Sequence, residues 1–123
     1  ILMGKTVMCV DDSSTIRMLV KKALEPEGFE VVEAENGEDG LKKANEKPVD
    51  LFIVDVNMPV MDGFAFVKGI KERPGDAQKP VVFLTTESST QKKQVGKDLG
   101  VNGWIVKPFD APSLVKIVNM LTG

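Results

Sequence analysis

The stretch Leu51-Phe52-Ile53-Val54-Asp55 decides the fold of this chain, because four apolar residues in a row end abruptly at a carboxylate. A short apolar run without polar alternation is typical of a strand that is covered on both faces of a parallel sheet. Three further runs, at 5–10, 80–84 and 103–106, also end at residues with reactive side chains. The repetition predicts parallel strands whose carboxyl ends carry one common site.

Helical patterns fill the intervals between the strands. Apolar residues recur three or four positions apart after each strand, as in amphipathic helices. We predict Ser14 as the N-cap of the first helix and Gly28 as the residue that closes the connection after it. The predicted strands are 5–10, 30–34, 50–54, 80–84 and 103–106. The predicted inward residues of the five helices are, in chain order, Ile16, Leu19, Val20, Ala23 and Leu24; Leu41 and Ala44; Phe64, Val67 and Ile70; Val95 and Leu99; and Leu114, Val118 and Leu121.

Five strand–helix pairs within 123 residues leave no room for a second domain. We therefore expect one domain over residues 3–123, with Met3 as the natural start. Short connections and right-handed crossovers predict an α/β fold, a doubly wound five-stranded parallel sheet with helices on both faces. The pattern alone leaves the strand order open. If the order is 2-1-3-4-5, Asp11-Asp12 and Asp55 face each other across the switch point of the sheet.

Composition excludes several classes of protein. The chain is 42% hydrophobic and 28% charged, which is ordinary for a globular domain, and its net charge of -2 gives no reason to expect nucleic acid as a direct partner. The single cysteine, Cys9, is predicted to be a small buried hydrophobe, and with no disulfide possible a reducing cytoplasm fits. No apolar stretch reaches the roughly 18 to 20 residues of a membrane span, and two residues before Met3 are too few for a signal peptide.

Three carboxylates at one sheet edge predict a divalent cation. Asp11, Asp12 and Asp55 would repel one another, and one would take up a proton unless a positive charge intervenes. Oxygen ligands without histidine or cysteine suit a hard ion, and few protein ligands with several waters suit Mg²⁺ better than a closed Ca²⁺ cage. The alternative is that these residues are merely solvated at strand ends. Lys107 and Thr85 at matching strand ends favour a site.

Three motifs carry a resemblance to a known family. They are Val10-Asp11-Asp12-Ser13-Ser14, the stretch 54–63 (VDVNMPVMDG) and Trp104-Ile105-Val106-Lys107-Pro108-Phe109. In this order and at these intervals they resemble the receiver domain of two-component response regulators, most closely the single-domain chemotaxis regulators of the CheY type. The resemblance covers essentially the whole chain. It implies the flavodoxin-like order 2-1-3-4-5, which is known for CheY, and a role in phosphorelay signal transduction.

The resemblance also implies residue roles. Asp55 is expected to be the phosphoacceptor, and Lys107 to pair first with Asp55 and then with a phosphoryl oxygen. Mg²⁺ would be held by Asp12, by Asp11 mainly through water, by Asp55 and by the backbone carbonyl of Asn57. Lys107-Pro108 is expected to be a cis peptide. Such a protein is a signalling receiver rather than an enzyme, and it catalyses only its own phosphorylation and dephosphorylation.

Output is expected to depend on a hydroxyl and an aromatic ring. Thr85 matches the switch residue that bonds the new phosphoryl group, and Trp104 stands where relatives carry the Tyr or Phe that rotates inward. Trp104 could equally be a fixed anchor for a partner, because an indole is larger than a phenol and its N–H needs a partner. Asn57 and Glu87 occupy positions that tune the access of hydrolytic water. Polar groups at both predict a phosphorylated lifetime of seconds to minutes.

Partners follow from the same resemblance. The chain has no histidine, so the phosphoryl donor must be a separate histidine kinase, a phosphotransfer protein or a small phosphodonor. The expected target of the monomer is a protein such as a flagellar switch component, which would bind the face formed by the last two strand–helix units. Val115, Ile117 and Met120 are candidate apolar surface there, whereas Lys92, Lys93 and Lys97 are predicted to be a solvated helix face.

Three alternatives remain at this stage. A receiver excised from a larger regulator with its own output domain would carry the same motifs. A Mg²⁺-dependent phosphohydrolase could use the same nucleophilic Asp, but it would need a substrate pocket and usually a cap segment. A nucleotide-binding flavodoxin-like domain is disfavoured, because no Gly-rich phosphate loop follows any strand.

Overall fold

The computed structural model describes residues 4–123; Met3, where the predicted domain begins, lies outside them. Five strands alternate with five helices, as predicted, and a short 3₁₀ turn, Glu25–Glu27, follows the first helix. The strands are β1 Thr6–Val10, β2 Glu30–Ala34, β3 Leu51–Val54, β4 Val81–Thr85 and β5 Gly103–Val106. The helices are α1 Ser14–Leu24, α2 Gly37–Glu46, α3 Gly63–Lys71, α4 Thr90–Asp98 and α5 Ala111–Thr122.

All four strand pairs are parallel, and the sheet has the order β2-β1-β3-β4-β5. The order 2-1-3-4-5 that the resemblance implied is therefore confirmed, and so is the doubly wound α/β fold. Two cores lie on opposite faces of the sheet. One contains Phe52, Phe66 and Phe83 with α3, and the other contains Val20 of α1 and Leu114 of α5. Cys9 is buried in the second core, as predicted.

The cap of α1 lies one residue earlier than predicted. Ser13, not Ser14, has the extended backbone of an N-cap, and its Oγ accepts the N–H of Ile16 at 3.3 Å. The Asp11 carboxylate accepts the N–H of Ser13 at 2.9 Å, which turns the chain into the helix at this point. Gly28 closes the following connection with a left-handed backbone, φ 94°, as expected.

Two predicted inward residues point to solvent. Leu19 is 43% exposed, because α1 packs on the sheet and α5 through Val20 and Leu24 instead. Val95 is 41% exposed, and Gly96 takes its inward place in α4. A Cβ at Gly96 would lie 3.0 Å from Cζ3 of Trp104, so only glycine lets α4 approach this ring without displacing it.

The fifth strand also differs from expectation. It was predicted to be covered on both faces, yet its residues are only partly buried and Val106 is 42% exposed. β5 is one of the two outermost strands of the sheet, so it has a neighbouring strand on one side only. On α5, Met120 is 71% exposed, whereas Val115 and Ile117 pack partly against the core. No helix within residues 4–123 is long and apolar enough to cross a membrane.

Candidate functional site

Four strands deliver polar side chains to one edge of the sheet. Asp11 follows β1 and Asp55 follows its neighbour β3, with Val10 and Val54 paired in register just before them. Thr85 ends β4, and Lys107 follows β5. The first three of these side chains are buried, in a protein whose other buried residues are almost all apolar. This is the edge at which open α/β sheets bind their ligands.

Lys107 bridges the two buried carboxylates. Its Nζ donates to Oδ2 of Asp11 at 2.8 Å and to Oδ2 of Asp55 at 3.2 Å. The three side chains are 13%, 2% and 9% exposed, respectively. Both oxygens therefore lie in a cleft that admits little water, and the ammonium supplies the compensating charge that burial requires.

Burial shifts the pKa of a carboxyl group and that of an ammonium group in opposite directions. It raises the pKa of the Asp11 carboxyl above its ordinary value, although hydrogen bonds from Lys107 and Ser13 oppose the rise. Burial by itself would lower the pKa of Lys107, but the hydrogen bond and charge of Asp11, helped by Asp55, outweigh it and raise that pKa. The ammonium is therefore charged at every physiological pH.

Asp12 completes a cluster that could hold a cation. One carboxylate oxygen from each of Asp11, Asp12 and Asp55 lies within 4.8 Å of the others. Asp12 is exposed, so the cluster is open on the solvent side. A hard, oxygen-only donor set with an open side fits Mg²⁺, which keeps several of its waters when a protein binds it.

The loop after β3 is held close beneath the cluster. The N–H of Asn57 donates to Oδ1 of Asp55 at 3.4 Å, and the N–H of Gly63 donates to the carbonyl of Val56 at 2.8 Å. A Cβ at Gly63 would lie 2.2 Å from the carbonyl oxygen of Asp55, closer than any real contact. Glycine is therefore required at the start of α3 to bring the loop back to Asp55.

Thr85, Glu87 and Trp104 form a linked group beside the cluster. The buried Oγ1 of Thr85 accepts the N–H of Glu87 at 3.2 Å. The indole N–H of Trp104 donates to the carbonyl of Glu87 at 2.9 Å, and its ring packs edge-on against Phe83 at 5.2 Å. Hydrogen bonds, chiefly from Ser89 and also from Asn57, lower the pKa of the Glu87 carboxyl.

Comparison with known proteins identifies the family. The chain matches the model of the response regulator receiver domain over residues 7–119. The chain belongs to this family. It is a receiver domain of two-component response regulators, and receiver domains are signalling domains. Receiver domains interact with histidine kinases or phosphotransfer proteins and bind Mg²⁺ at an acidic pocket.

Individual relatives differ in length. The chemotaxis protein CheY4 of Vibrio cholerae is 43% identical, with a TM-score of 0.91 over 96% of this chain and 98% of that one. The transcriptional regulatory protein PrrA of Mycobacterium tuberculosis is 35% identical over 94% of this chain and 48% of its own length. The sensor histidine kinase CheAY of Helicobacter pylori is 32% identical over 91% of this chain and 14% of its own length. The receiver thus spans about half the length, or less, of these two curated relatives.

The structure brings most of the sequence-predicted residues to one edge of the sheet: Asp11, Asp12, Asp55 and Lys107 form the charged cluster, and Thr85 ends the neighbouring strand. Trp104 lies within β5, where its ring packs against Phe83, and it is linked to this edge through the carbonyl of Glu87. The Lys107-Pro108 peptide is cis. Sequence reasoning missed Arg17, whose guanidinium donates to the carbonyl of Asp11 at 2.6 Å. Its position between two apolar residues of a predicted amphipathic helix was the only available signal.

Proposed function

We propose that this receiver takes a phosphoryl group onto Asp55 from the phosphohistidine of a separate kinase or phosphotransfer protein. The observation that carries the proposal is the bridge from Lys107 to both buried carboxylates, beside an oxygen cluster open to solvent. A buried carboxylate beside a fixed ammonium at the mouth of a cleft is suited to nucleophilic attack on phosphorus.

The transfer needs little covalent chemistry from the protein. One oxygen of Asp55 forms a bond to phosphorus while the phosphorus–nitrogen bond of the donor breaks, and the imidazole leaves with the bonding electron pair. Lys107 then moves its hydrogen bond from Asp55 to a phosphoryl oxygen. Asp11, Asp12, Asp55 and the carbonyl of Asn57 would hold Mg²⁺, which neutralises the negative charge that develops in the transition state.

The same groups account for hydrolysis of the product. A water oxygen bonds to phosphorus as the phosphorus–oxygen bond to Asp55 breaks, and the carboxylate is regenerated. Asn57 is exposed, and its amide donates to the Glu87 carboxylate at 3.5 Å, so the rim is polar and open. We expect the phosphorylated form to last seconds to minutes, with both reactions catalysed by the receiver itself.

Thr85 and Trp104 are the proposed output pair. Donation from the Thr85 hydroxyl to the phosphoryl group would draw the segment after β4 toward Asp55. That segment carries the Glu87 carbonyl to which the indole N–H of Trp104 is bonded, so the ring is coupled to the site through one backbone group. In this proposal, the bond between Trp104 and Glu87 connects phosphorylation to the surface formed by α4, β5 and α5.

A chemotaxis role is the favoured biological setting. It is supported by the likeness to CheY4, which extends over nearly the full length of both chains. The proposed target is a flagellar switch component that binds beside Trp104, where a groove of about 380 Å³ lies between α4 and β5. The second candidate is the receiver of a larger regulator. It is favoured by PrrA, in which the matching segment is about half of the protein.

Acetyl phosphate with Mg²⁺ tests the phosphoacceptor. Intact-mass measurement should show one phosphoryl adduct on the wild type and none on Asp55→Asn. Asp50→Asn is the matched control, because Asp50 lies just before the opposite end of β3 and its carboxylate accepts the N–H of Thr6 at 2.8 Å. It should label normally. An adduct retained by Asp55→Asn, or one formed equally well in a chelator, contradicts the proposal.

A binding experiment tests the proposed role in chemotaxis. The receiver treated with beryllofluoride and Mg²⁺ should be retained by immobilised flagellar switch protein, and the untreated receiver should not. Equal retention of both forms, or of neither, would favour the larger-regulator alternative.

A further inference from the structure

Arg17 contacts the main-chain carbonyl of Asp11, a different group from the carboxylate that Lys107 contacts. Its Nη1 donates to the carbonyl of Asp11 at 2.6 Å, and its Nε donates to Oε1 of Glu33 at 3.1 Å. The side chain is only 15% exposed. We propose that Arg17 is a positioning residue for the Asp11-Asp12 pair and thereby sets the affinity of the cluster for Mg²⁺, an inference that rests on the proposed function.

The contact acts on the peptide between the two acids. The carbonyl of Asp11 and the N–H and Cα of Asp12 belong to one planar peptide unit. A guanidinium that holds this carbonyl therefore also fixes the plane from which the Asp12 side chain departs. Asp12 is exposed, so neighbouring side chains constrain it less than its own backbone does. Without Arg17, the direction of the Asp12 carboxylate would vary.

The other hydrogen bonds of Asp11 do not fix the orientation of the peptide plane between Asp11 and Asp12. Its N–H donates to the carbonyl of Ala34 in β2 at 3.0 Å, and its carboxylate accepts from Ser13 and Lys107. These bonds place the backbone before Asp11 and its side chain. Within residues 4–123, Arg17 is the one residue seen to hydrogen-bond the peptide group between Asp11 and Asp12.

Glu33 holds the guanidinium in place. Its carboxylate accepts from Arg17 and lies 3.8 Å from Nζ of Lys21, while its carbonyl accepts Nζ of Lys43 at 2.7 Å. Glu33 is opposite Cys9 in the β1–β2 register, and Cys9 is two residues before Asp11. Arginine suits this position because its planar fork reaches a carboxylate and a carbonyl at once in a fixed geometry. Lysine lacks that fork, so it would hold the two acceptors less firmly.

The test compares two residues that share Glu33 as a partner. Arg17→Met keeps the apolar stem and removes every donor. Lys21→Met is the matched control, because Lys21 also faces Glu33 from the next turn of α1 but is 43% exposed and does not contact Asp11. Titration calorimetry without phosphodonor should give a Mg²⁺ dissociation constant about tenfold higher for Arg17→Met and unchanged for Lys21→Met.

Kinetics separate positioning from a general loss of structure. With acetyl phosphate, Arg17→Met should need about tenfold more Mg²⁺ for its half-maximal rate and should reach the wild-type rate at saturating Mg²⁺. Hydrogen exchange of a peptide covering 11–13 should be faster in Arg17→Met than in Lys21→Met. Arg17→Lys should recover part of the affinity.

Several outcomes would overturn the inference. A folded Arg17→Met with wild-type Mg²⁺ affinity would do so, as would equal weakening by Lys21→Met or a lower saturating rate with no change in the Mg²⁺ requirement. If Arg17→Met does not fold, the Mg²⁺ affinities of Arg17→Lys and Glu33→Gln are measured instead. Wild-type Mg²⁺ affinity in both variants would refute the positioning role of Arg17. A wild type that binds no Mg²⁺ would instead refute the proposed function and this inference together.

Discussion

Replacing Lys107 by methionine should destabilise the metal-free protein in a pH-dependent way. The change keeps most of the side-chain length and removes the charge between Asp11 and Asp55. At the observed separations of 2.8 and 3.2 Å, with an effective dielectric constant of about 20, the two attractions are about 6 and about 5 kcal/mol. Desolvation of three charges offsets most of this gross attraction.

The net loss of stability comes from the two buried carboxylates that remain without a cation. Removing one partner of a buried ion pair costs about 3–5 kcal/mol, and we expect about 3 kcal/mol here, because the cluster opens to solvent at Asp12. Burial already raises the pKa of Asp11, and without the ammonium the negative charge of Asp55 raises it further. Proton uptake by the folded state then relieves part of the cost at low pH.

The pH dependence comes from the raised pKa of Asp11. A carboxyl whose pKa is higher in the folded than in the unfolded state favours folding below its unfolded value of 3.8, and this advantage is lost as pH rises through the folded value. The deficit of Lys107→Met should therefore be smaller at about pH 5 than at about pH 7.5. The raised pKa of Lys107 itself matters only in the alkaline range, since its ordinary value is 10.5.

Urea unfolding in a chelator, at both pH values, measures this difference. Lys92→Met is the control, since Lys92 is 45% exposed and lies 3.8 Å from Glu87, and it should change stability by less than about 0.5 kcal/mol. Added Mg²⁺ should stabilise Lys107→Met more than the wild type, because it replaces the missing positive charge. A loss below about 1 kcal/mol at the higher pH, or the same loss at both, would refute the electrostatic account.

Three further predictions concern the segments around the cluster. Gly63→Ala should cost more than about 3 kcal/mol in urea unfolding, because its Cβ would overlap the carbonyl of Asp55, whereas Gly75→Ala, with no atom within 4 Å, should change stability little; equal effects would contradict this. Trp104→Phe should lose about 1 kcal/mol with its bond to Glu87, and a loss near zero would show that this bond adds nothing. Beryllofluoride with Mg²⁺ should shift the fluorescence of the single tryptophan, and an unchanged spectrum would count against a moving Trp104.

Local patterns were sufficient for the elements and for most of the cluster. Continuous apolar runs separate parallel strands from amphipathic helices, because the two structures bury side chains with different periods. Residues that follow such strands must meet at one sheet edge, which is why Asp11, Asp55 and Lys107 could be grouped before any distance was known. The strand order required the family resemblance, since apolar patterning does not say which strands are neighbours.

The buried faces of the helices were less predictable, because they depend on the element that each helix packs against. Val95 lies on an apolar position of α4, yet Gly96 faces the sheet because the Trp104 ring occupies the space beside it. Leu19 follows the helical repeat of α1 but lies outside the contact with α5. Periodicity locates an apolar stripe; its edges depend on the shape of what it packs against.

The sequence by itself determined the fold class, the five strands and the chemical character of the cluster, because these depend on the order of residue types along the chain. Only the tertiary structure decided that Lys107 bridges Asp11 and Asp55, that Trp104 bonds the Glu87 carbonyl, and that Arg17 holds the peptide between the two acids. These contacts join different elements of the fold, and for Lys107 and Asp11 the separation is 96 positions. Their geometry depends on how whole helices and strands pack, which no local pattern encodes.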